Sequence, residues 1–194
     1  EDVYSTILQV GKRSAKFVDY STFQLDSART SGASEDQVEA FRLREEKKAQ
    51  YFDYAIFQNE PAGNMTVYGT IISDRYSYTE DSKAMKWTLA DDEKTICGYQ
   101  CHKAECEYGG RKWTAWYSQD IPVSYGPWKL CGLPGLILAA EDSDGANKFE
   151  AIILRNGASA ITPVSDKNIT TTTREKFVKA KNMFESDPMG NLPP

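Results

Sequence analysis

Cys97-Gly98-Tyr99-Gln100-Cys101-His102-Lys103-Ala104-Glu105-Cys106-Glu107-Tyr108-Gly109-Gly110-Arg111-Lys112-Trp113-Thr114-Ala115-Trp116-Tyr117-Ser118 reads as two β-strands, 97–107 and 111–118, folded about one tight turn. Gly109-Gly110 supplies the positive φ angles that a two-residue hairpin turn wants. Pairing Tyr108 with Arg111 sets Cys106 opposite Trp113 and Ala104 opposite Ala115. Side chains alternate along a strand, so Arg111 and Lys112 project to opposite faces. Trp113 and Trp116 do the same, which makes one of them core and the other outward-facing.

Downstream, Gly126-Pro127-Trp128-Lys129-Leu130-Cys131-Gly132-Leu133-Pro134-Gly135-Leu136-Ile137-Leu138 brackets aliphatic side chains with glycine and proline. That composition predicts a rigid, shaped loop feeding a buried strand over 135–140, with residues 120–128 read as loop. It carries no nucleophile, general base or metal-ligand set. The acidic turn Glu141-Asp142-Ser143-Asp144-Gly145 follows; without EF-hand ligand spacing it reads as a plain hairpin turn rather than a calcium loop. Strands are expected at 148–154 and 158–164. Upstream, Tyr4 to Val10 and Ser14 to Phe23 read as a hairpin about Gly11-Lys12-Arg13, and further strands are expected at 51–58, 64–72, 75–79 and 86–89. Ser34-Glu35-Asp36-Gln37 is a capping box that opens a surface helix to about Gln50 with a thin apolar stripe of Val38, Phe41 and Ala49. A second capping box, Thr172-Thr173-Arg174-Glu175, opens an amphipathic helix over 173–185 with Phe177, Ala180 and Phe184 at helical spacing. The expected fold is α+β and mainly antiparallel. It is a curved meander sheet with two flanking helices in a single domain over 1–187, followed by a loose tail over 188–194.

The whole chain of 194 residues has 23 basic and 28 acidic residues and a net charge of −5. A nucleic-acid binder would show a basic face, and the basic cluster Arg42, Arg44, Lys47, Lys48 is interrupted by Glu45 and Glu46, so it reads as a solvated helix face. No run approaches the ~20 apolar residues of a membrane-spanning helix. Aromatic residues make up 12% of the chain, with 11 Tyr and 4 Trp, which suits half-buried pleated surfaces. The first residue is Glu1 rather than a methionine, and the expectation is an export signal already removed.

Cys97, Cys101, Cys106 and Cys131 allow disulfides, free buried thiols or a soft-metal site. Paired zinc knuckles are absent from the spacing, so no metal is expected. Along one regular strand Cys97 and Cys101 share a face but lie about 13 Å apart, beyond the roughly 7 Å of a disulfide, and Cys106 points to the other face. Cys97 with Cys131 is the favoured pairing, and Cys101 with Cys106 needs a distortion. His102 is the only histidine, and its place within a strand builds no catalytic triad. A carboxylate pair drawn from Asp120, Asp142 and Asp144 would be the alternative, a hydrolase, but nothing singles out two of them.

The chain resembles the GLPGLI family of exported Gram-negative envelope proteins. The likeness rests on Leu8-Gln9-Val10-Gly11-Lys12, Lys16-Phe17, Leu25-Asp26-Ser27, Trp87-Thr88-Leu89, Ile96 to Cys101 and Lys103-Ala104. It continues through Gly110-Arg111, Trp113, Ala115-Trp116, Ile121-Pro122, Gly126 to Lys129 and Gly132 to Leu138. Val10 stands where the family usually has Ile. The resemblance implies a periplasmic or extracellular protein and names no reaction. Strand order and aromatic hairpins add an analogy to curved lipoprotein-carrier sheets, which does not fix function. The expected function is a non-enzymatic binding protein holding a hydrophobic or amphipathic ligand or peptide on an aromatic-lined sheet face. The candidate contacts are Tyr99, Arg111, Trp113, Trp116, Trp128, Leu133, Pro134 and Leu136, with an exposed apolar patch beside Leu133-Pro134. No cofactor is expected. The partner is either that ligand or an envelope protein, the latter making the chain a docking scaffold.

Overall fold

The computed structural model describes residues 3–45, 52–157, 160–164 and 168–188. The fold is α+β and mostly antiparallel, as the alternating strands predict, but the strands form two sheets rather than one. Sheet A contains β1 (Thr6–Val10), β2 (Ala15–Asp19), β3 (Tyr54–Gln58), β4 (Asn64–Ile71), β5 (Asp74–Asp81) and β11 (Ile169–Thr171) in the order β1-β2-β3-β4-β5-β11. Sheet B contains β6 (Thr88–Ile96), β7 (Tyr99–Tyr108), β8 (Arg111–Ser118), β9 (Leu136–Asp142) and β10 (Lys148–Glu150) in the order β10-β9-β8-β7-β6.

The meander divides between β5 and β6 for a local and a distant reason. Asp81 accepts from the Lys83 amide at 2.8 Å and starts a 3-10 turn over Ser82–Ala84, which turns the chain out of sheet A. The free edge of β5 is then taken by β11 in parallel, Ile169 beside Arg75. The Trp87 indole donates to the Cys131 carbonyl at 2.8 Å and ties the start of β6 to the loop before β9.

The β7–β8 hairpin has the predicted register, with Tyr108 opposite Arg111, Cys106 opposite Trp113 and Ala104 opposite Ala115. β4 alternates half-buried and buried along its whole length, the pattern of a strand with one face on a core. Met65 of sheet A lies in the sheet B cluster with Trp113, Tyr117, Leu130 and Leu133. Trp128 and Phe149 pack on the cores of both sheets, and Phe149 meets Phe17 edge-on at 6.0 Å.

Among the described residues three α-helices accompany the sheets, one more than expected. The chain after β2 is α1 (Tyr20–Thr30), where a strand to Phe23 is predicted. Asp19 causes the change: its carboxylate accepts from the Ser21 amide at 2.8 Å and caps the helix. α2 (Glu35–Glu45) begins at the predicted capping box, with the Ser34 amide donating to Gln37 at 3.0 Å and the Gln37 amide to Ser34 Oγ at 3.3 Å. The expected continuation to residue 50 lies outside the described residues. α3 (Arg174–Ser186) is capped by Thr173 rather than Thr172, one residue later than predicted. Residues 151–157 and 160–164 form no strand, so the expected strand at 148–154 shortens to β10. Residues 158 and 159 of the other expected strand, and the tail from 189, lie outside the described residues.

Candidate functional site at the Trp128 loop

The loop between β8 and β9 is organised around one side chain from the other sheet. Gln58, the last residue of β3, is 1% exposed. Its amide nitrogen donates to the carbonyls of Gly126 at 2.7 Å and Trp128 at 2.8 Å, with a longer contact to Leu130 at 3.4 Å. Its amide oxygen accepts from the Gly126 N–H at 3.3 Å. Loop backbone groups that would otherwise be buried without partners are thereby satisfied. Two glycines permit the closure. A Cβ on Gly126 would stand 2.7 Å from both Ile137 Cβ and the Leu130 carbonyl, and one on Gly135 would overlap the Ser118 carbonyl.

That closure corrects the expected binding surface. Trp113 is 2% exposed, Leu133 1% and Leu136 7%. These side chains fill the core, and only Pro134 of the Leu133-Pro134 corner faces solvent. The apolar patch expected there is turned inward, because Gln58 and the two glycines draw the loop onto sheet A. Arg111 is a structural clamp: its guanidinium donates to the fully buried Asp142 carboxylate at 2.8 Å and approaches Asp144 at 3.4 Å. Burial alone would raise the Asp142 carboxyl. Hydrogen bonds from the Asn147 side chain and from the Asn147 and Ala146 amides, with the charge of Arg111, outweigh burial and hold it below its ordinary value. Tyr99 and Trp116 sit half-buried on the cluster around Cys101, Leu136 and Leu138, with the Lys94 amine 4.4 Å from the Trp116 ring. They are therefore separated from Trp128, and the predicted contacts do not form one surface.

The favoured disulfides do not form. Cys97 is an exposed thiol on the β6–β7 turn, and Cys101, Cys106 and Cys131 are buried thiols. Burial pushes the Cys106 and Cys131 thiols up to about 11. Cys101 lies in a different cluster from Cys106 and Cys131, so a strand bulge would not bring it to either. Among the described residues, no group of three His, Cys, Asp or Glu side chains could hold a metal ion.

Trp128 is the predicted residue that reaches a cleft. A cavity of about 230 Å³ lies between α3, sheet A and the loop, and Tyr54, Tyr78, Trp128, Lys129, Arg174, Phe177, Val178, Lys181, Asn182 and Glu185 line it. α3 contributes positions 174, 178, 181, 182 and 185, one face of a 3.6-residue helix. Phe177 anchors that helix, 2% exposed, with its ring 5.4 Å from Tyr78 and 6.0 Å from Tyr76. Gly69 makes room beneath it, since a Cβ there would stand 2.6 Å from the Phe177 ring.

The electrostatics of the cleft centre on Glu80. Lys129, 5% exposed, forms a short charged contact with it and also donates to the Tyr78 hydroxyl at 3.1 Å. Burial lowers the Lys129 amine from its ordinary value, and the neighbouring Glu80 opposes that shift. Arg174 Nε pairs with the other Glu80 oxygen at 3.1 Å. Lys181 lies 3.6 Å from Asp53 and 4.5 Å from the Tyr54 ring centre. A desolvated lysine paired in a cleft with perturbed neighbours marks a candidate site on physical grounds. Sequence reasoning missed Tyr54, Tyr78, Glu80, Lys129, Arg174 and Lys181. The one available signal was Lys129 itself, a charge set inside an otherwise apolar loop.

The model of one protein family, Porph_ging, described as a protein of unknown function, matches residues 109–139. That stretch runs from the β7–β8 turn through β8 and the Gln58-bound loop into β9. No curated protein matches the chain. The solved structures of PNGF-II in its C2 and P21 crystal forms are similar, each with a TM-score of 0.65 and 14% identity over 93% of this chain. The chain spans only 30% of the PNGF-II chain, and at that identity the likeness is one of fold.

Proposed function

We propose that this chain is an exported, non-enzymatic binding module of the cell envelope, of the GLPGLI type. It holds a hydrophobic or amphipathic ligand or peptide in the cleft between α3 and the Trp128 loop. The observation that carries the reading is the cleft itself, where aromatic walls from Tyr54, Tyr78 and Trp128 meet Lys129, Arg174 and Lys181. The open lining is more polar than apolar, with aromatic rings set beside charged side chains, which suits an amphipathic ligand better than a purely hydrophobic one. The stretch matched by the family of unknown function, residues 109–139, includes Trp128 and Lys129 of the cleft wall.

A hydrolase built on paired carboxylates draws less support, since Asp142 is committed to Arg111, Ala146 and Asn147. A docking scaffold has one specific observation behind it. Ile152 and Ile153 follow the edge strand β10 and are 85% and 61% exposed.

Native mass spectrometry of the protein recovered from its own host tests the proposal. The expected result is a bound species of small mass, retained by the Ile152→Asp variant and lost from Trp128→Ala. Ligand-free protein together with an associated protein lost on Ile152→Asp would replace the binding module with the scaffold.

A further inference from the structure

We infer that the cleft takes a small amphipathic carboxylate, its anionic end on Arg174 and its apolar body against Trp128 and Tyr54. The inference rests on the binding reading above and adds the ligand's chemical class.

The open hydrogen-bond donors decide it. Glu80 is one carboxylate shared by two cations, Lys129 on one oxygen and Arg174 on the other. The neighbouring Glu175 carboxylate also feels the charge of Arg174, so that end of the cleft is balanced in charge, and what it offers a ligand is the donors of Arg174 that Glu80 leaves open. At the other end Lys181 already has Asp53, with Glu185 close enough to raise its amine further. Lys129 is buried and uses its amine on Glu80 and Tyr78. Arg174 is 47% exposed, and its nearest approach to Glu80 is through Nε. Among the described residues neither Nη group makes a hydrogen bond, so the planar fork offers donors along its outer edge. Such a fork matches a carboxylate in a bidentate way.

The size and the walls settle the rest of the ligand. A volume of about 230 Å³ is below that of sites for drug-sized molecules, so a ring-sized body fits and a larger one does not. Trp128 and Tyr54 supply aromatic surface, and Val178 supplies the apolar lip. A phosphate or sulfate alone would leave that surface uncovered, and a neutral ring would leave Arg174 unanswered. A free aromatic acid and a peptide ending in a phenylalanine carboxylate share the required chemistry.

The probes are 3-phenylpropionate and its amide, and a tetrapeptide ending in phenylalanine as the free acid and as the amide. Binding is followed by backbone NMR shifts of the full chain. Each free acid is expected to shift residues 174–185 and the Trp128 indole, at about millimolar Kd for so small a ligand. Each amide is expected to bind at least tenfold more weakly, and Arg174→Gln to remove that preference. If Arg174→Gln fails to fold, Arg174→Lys keeps the charge without the fork and is expected to weaken the acids severalfold while leaving the amides unchanged. The stronger of the two acids identifies the source, free acid or peptide terminus. Equal binding of acid and amide at the cleft overturns the inference and leaves the binding reading standing. No shift at the cleft from any of the four probes overturns both.

Discussion

Gln58 joins the two sheets through one amide group. Its three carbonyl contacts and one amide contact run to Gly126, Trp128 and Leu130, and no apolar residue of similar size can replace them. A buried polar group left without its partner costs about 1–3 kcal/mol. Gln58→Leu strands at least two carbonyls and one N–H, so the expected loss is about 3 kcal/mol or more, read as a lower urea midpoint with unchanged slope. An unfolding free energy within about 0.5 kcal/mol of the parent, the range of an ordinary surface change, would mean that the loop closes without this side chain. Nothing in the local sequence distinguishes Gln58 from a solvent-facing strand glutamine, because its partners lie 68 to 72 residues away. The glycines of the same loop were legible as backbone requirements, and the direction in which the loop closes was not.

At the scale of elements, α3 hangs on a small set of contacts. It meets sheet A through Phe177, the Arg174–Glu80 and Lys181–Asp53 pairs, and the short parallel strand β11 that precedes it. Exposed ion pairs contribute little, so the Phe177 ring carries most of the docking. Phe177→Ala is expected to cost about 3–5 kcal/mol where the core stays intact. Local opening accounts for the effect, so hydrogen exchange should accelerate over 174–186 and leave β7 and β8 protected. Uniform acceleration across both sheets would show instead that α3 is part of the global folding unit. The helix was legible from Phe177, Ala180 and Phe184 at helical spacing. α1 was not, because Tyr20, Thr22 and Phe23 favour strands and the single Asp19 cap outweighs them.

For the molecule as a whole, the thiols bear on the compartment. An exported protein meets oxidising conditions, where paired cysteines are usual. Here three thiols are protected by burial and one is not. With Cys106 and Cys131 raised to about 11, little thiolate forms at neutral pH even where a reagent could reach them. Ellman's reagent at pH 8 is expected to titrate one thiol quickly in the native protein, Cys97, and four in guanidinium. Four fast thiols would contradict the packing of β7 and the loop, and fewer than four after unfolding would reveal a disulfide.

The sequence alone determined what short-range physics controls. The β7–β8 register follows from Gly109-Gly110 and the two-residue period, and the start of α2 follows from the reciprocal Ser34–Gln37 bonds. Only the tertiary structure decided which apolar surfaces face inward. Trp113 and Leu133 were read as contacts and became core, while Lys129, Arg174 and Lys181 came together from the loop and α3 around Glu80 of β5 and Asp53 beside β3. The physical reason is range. Turn geometry and helix caps are settled within a few residues, whereas burial is settled by partners far along the chain. No local pattern states that β11 will take the edge of β5, or that one glutamine will draw a greasy loop onto another sheet.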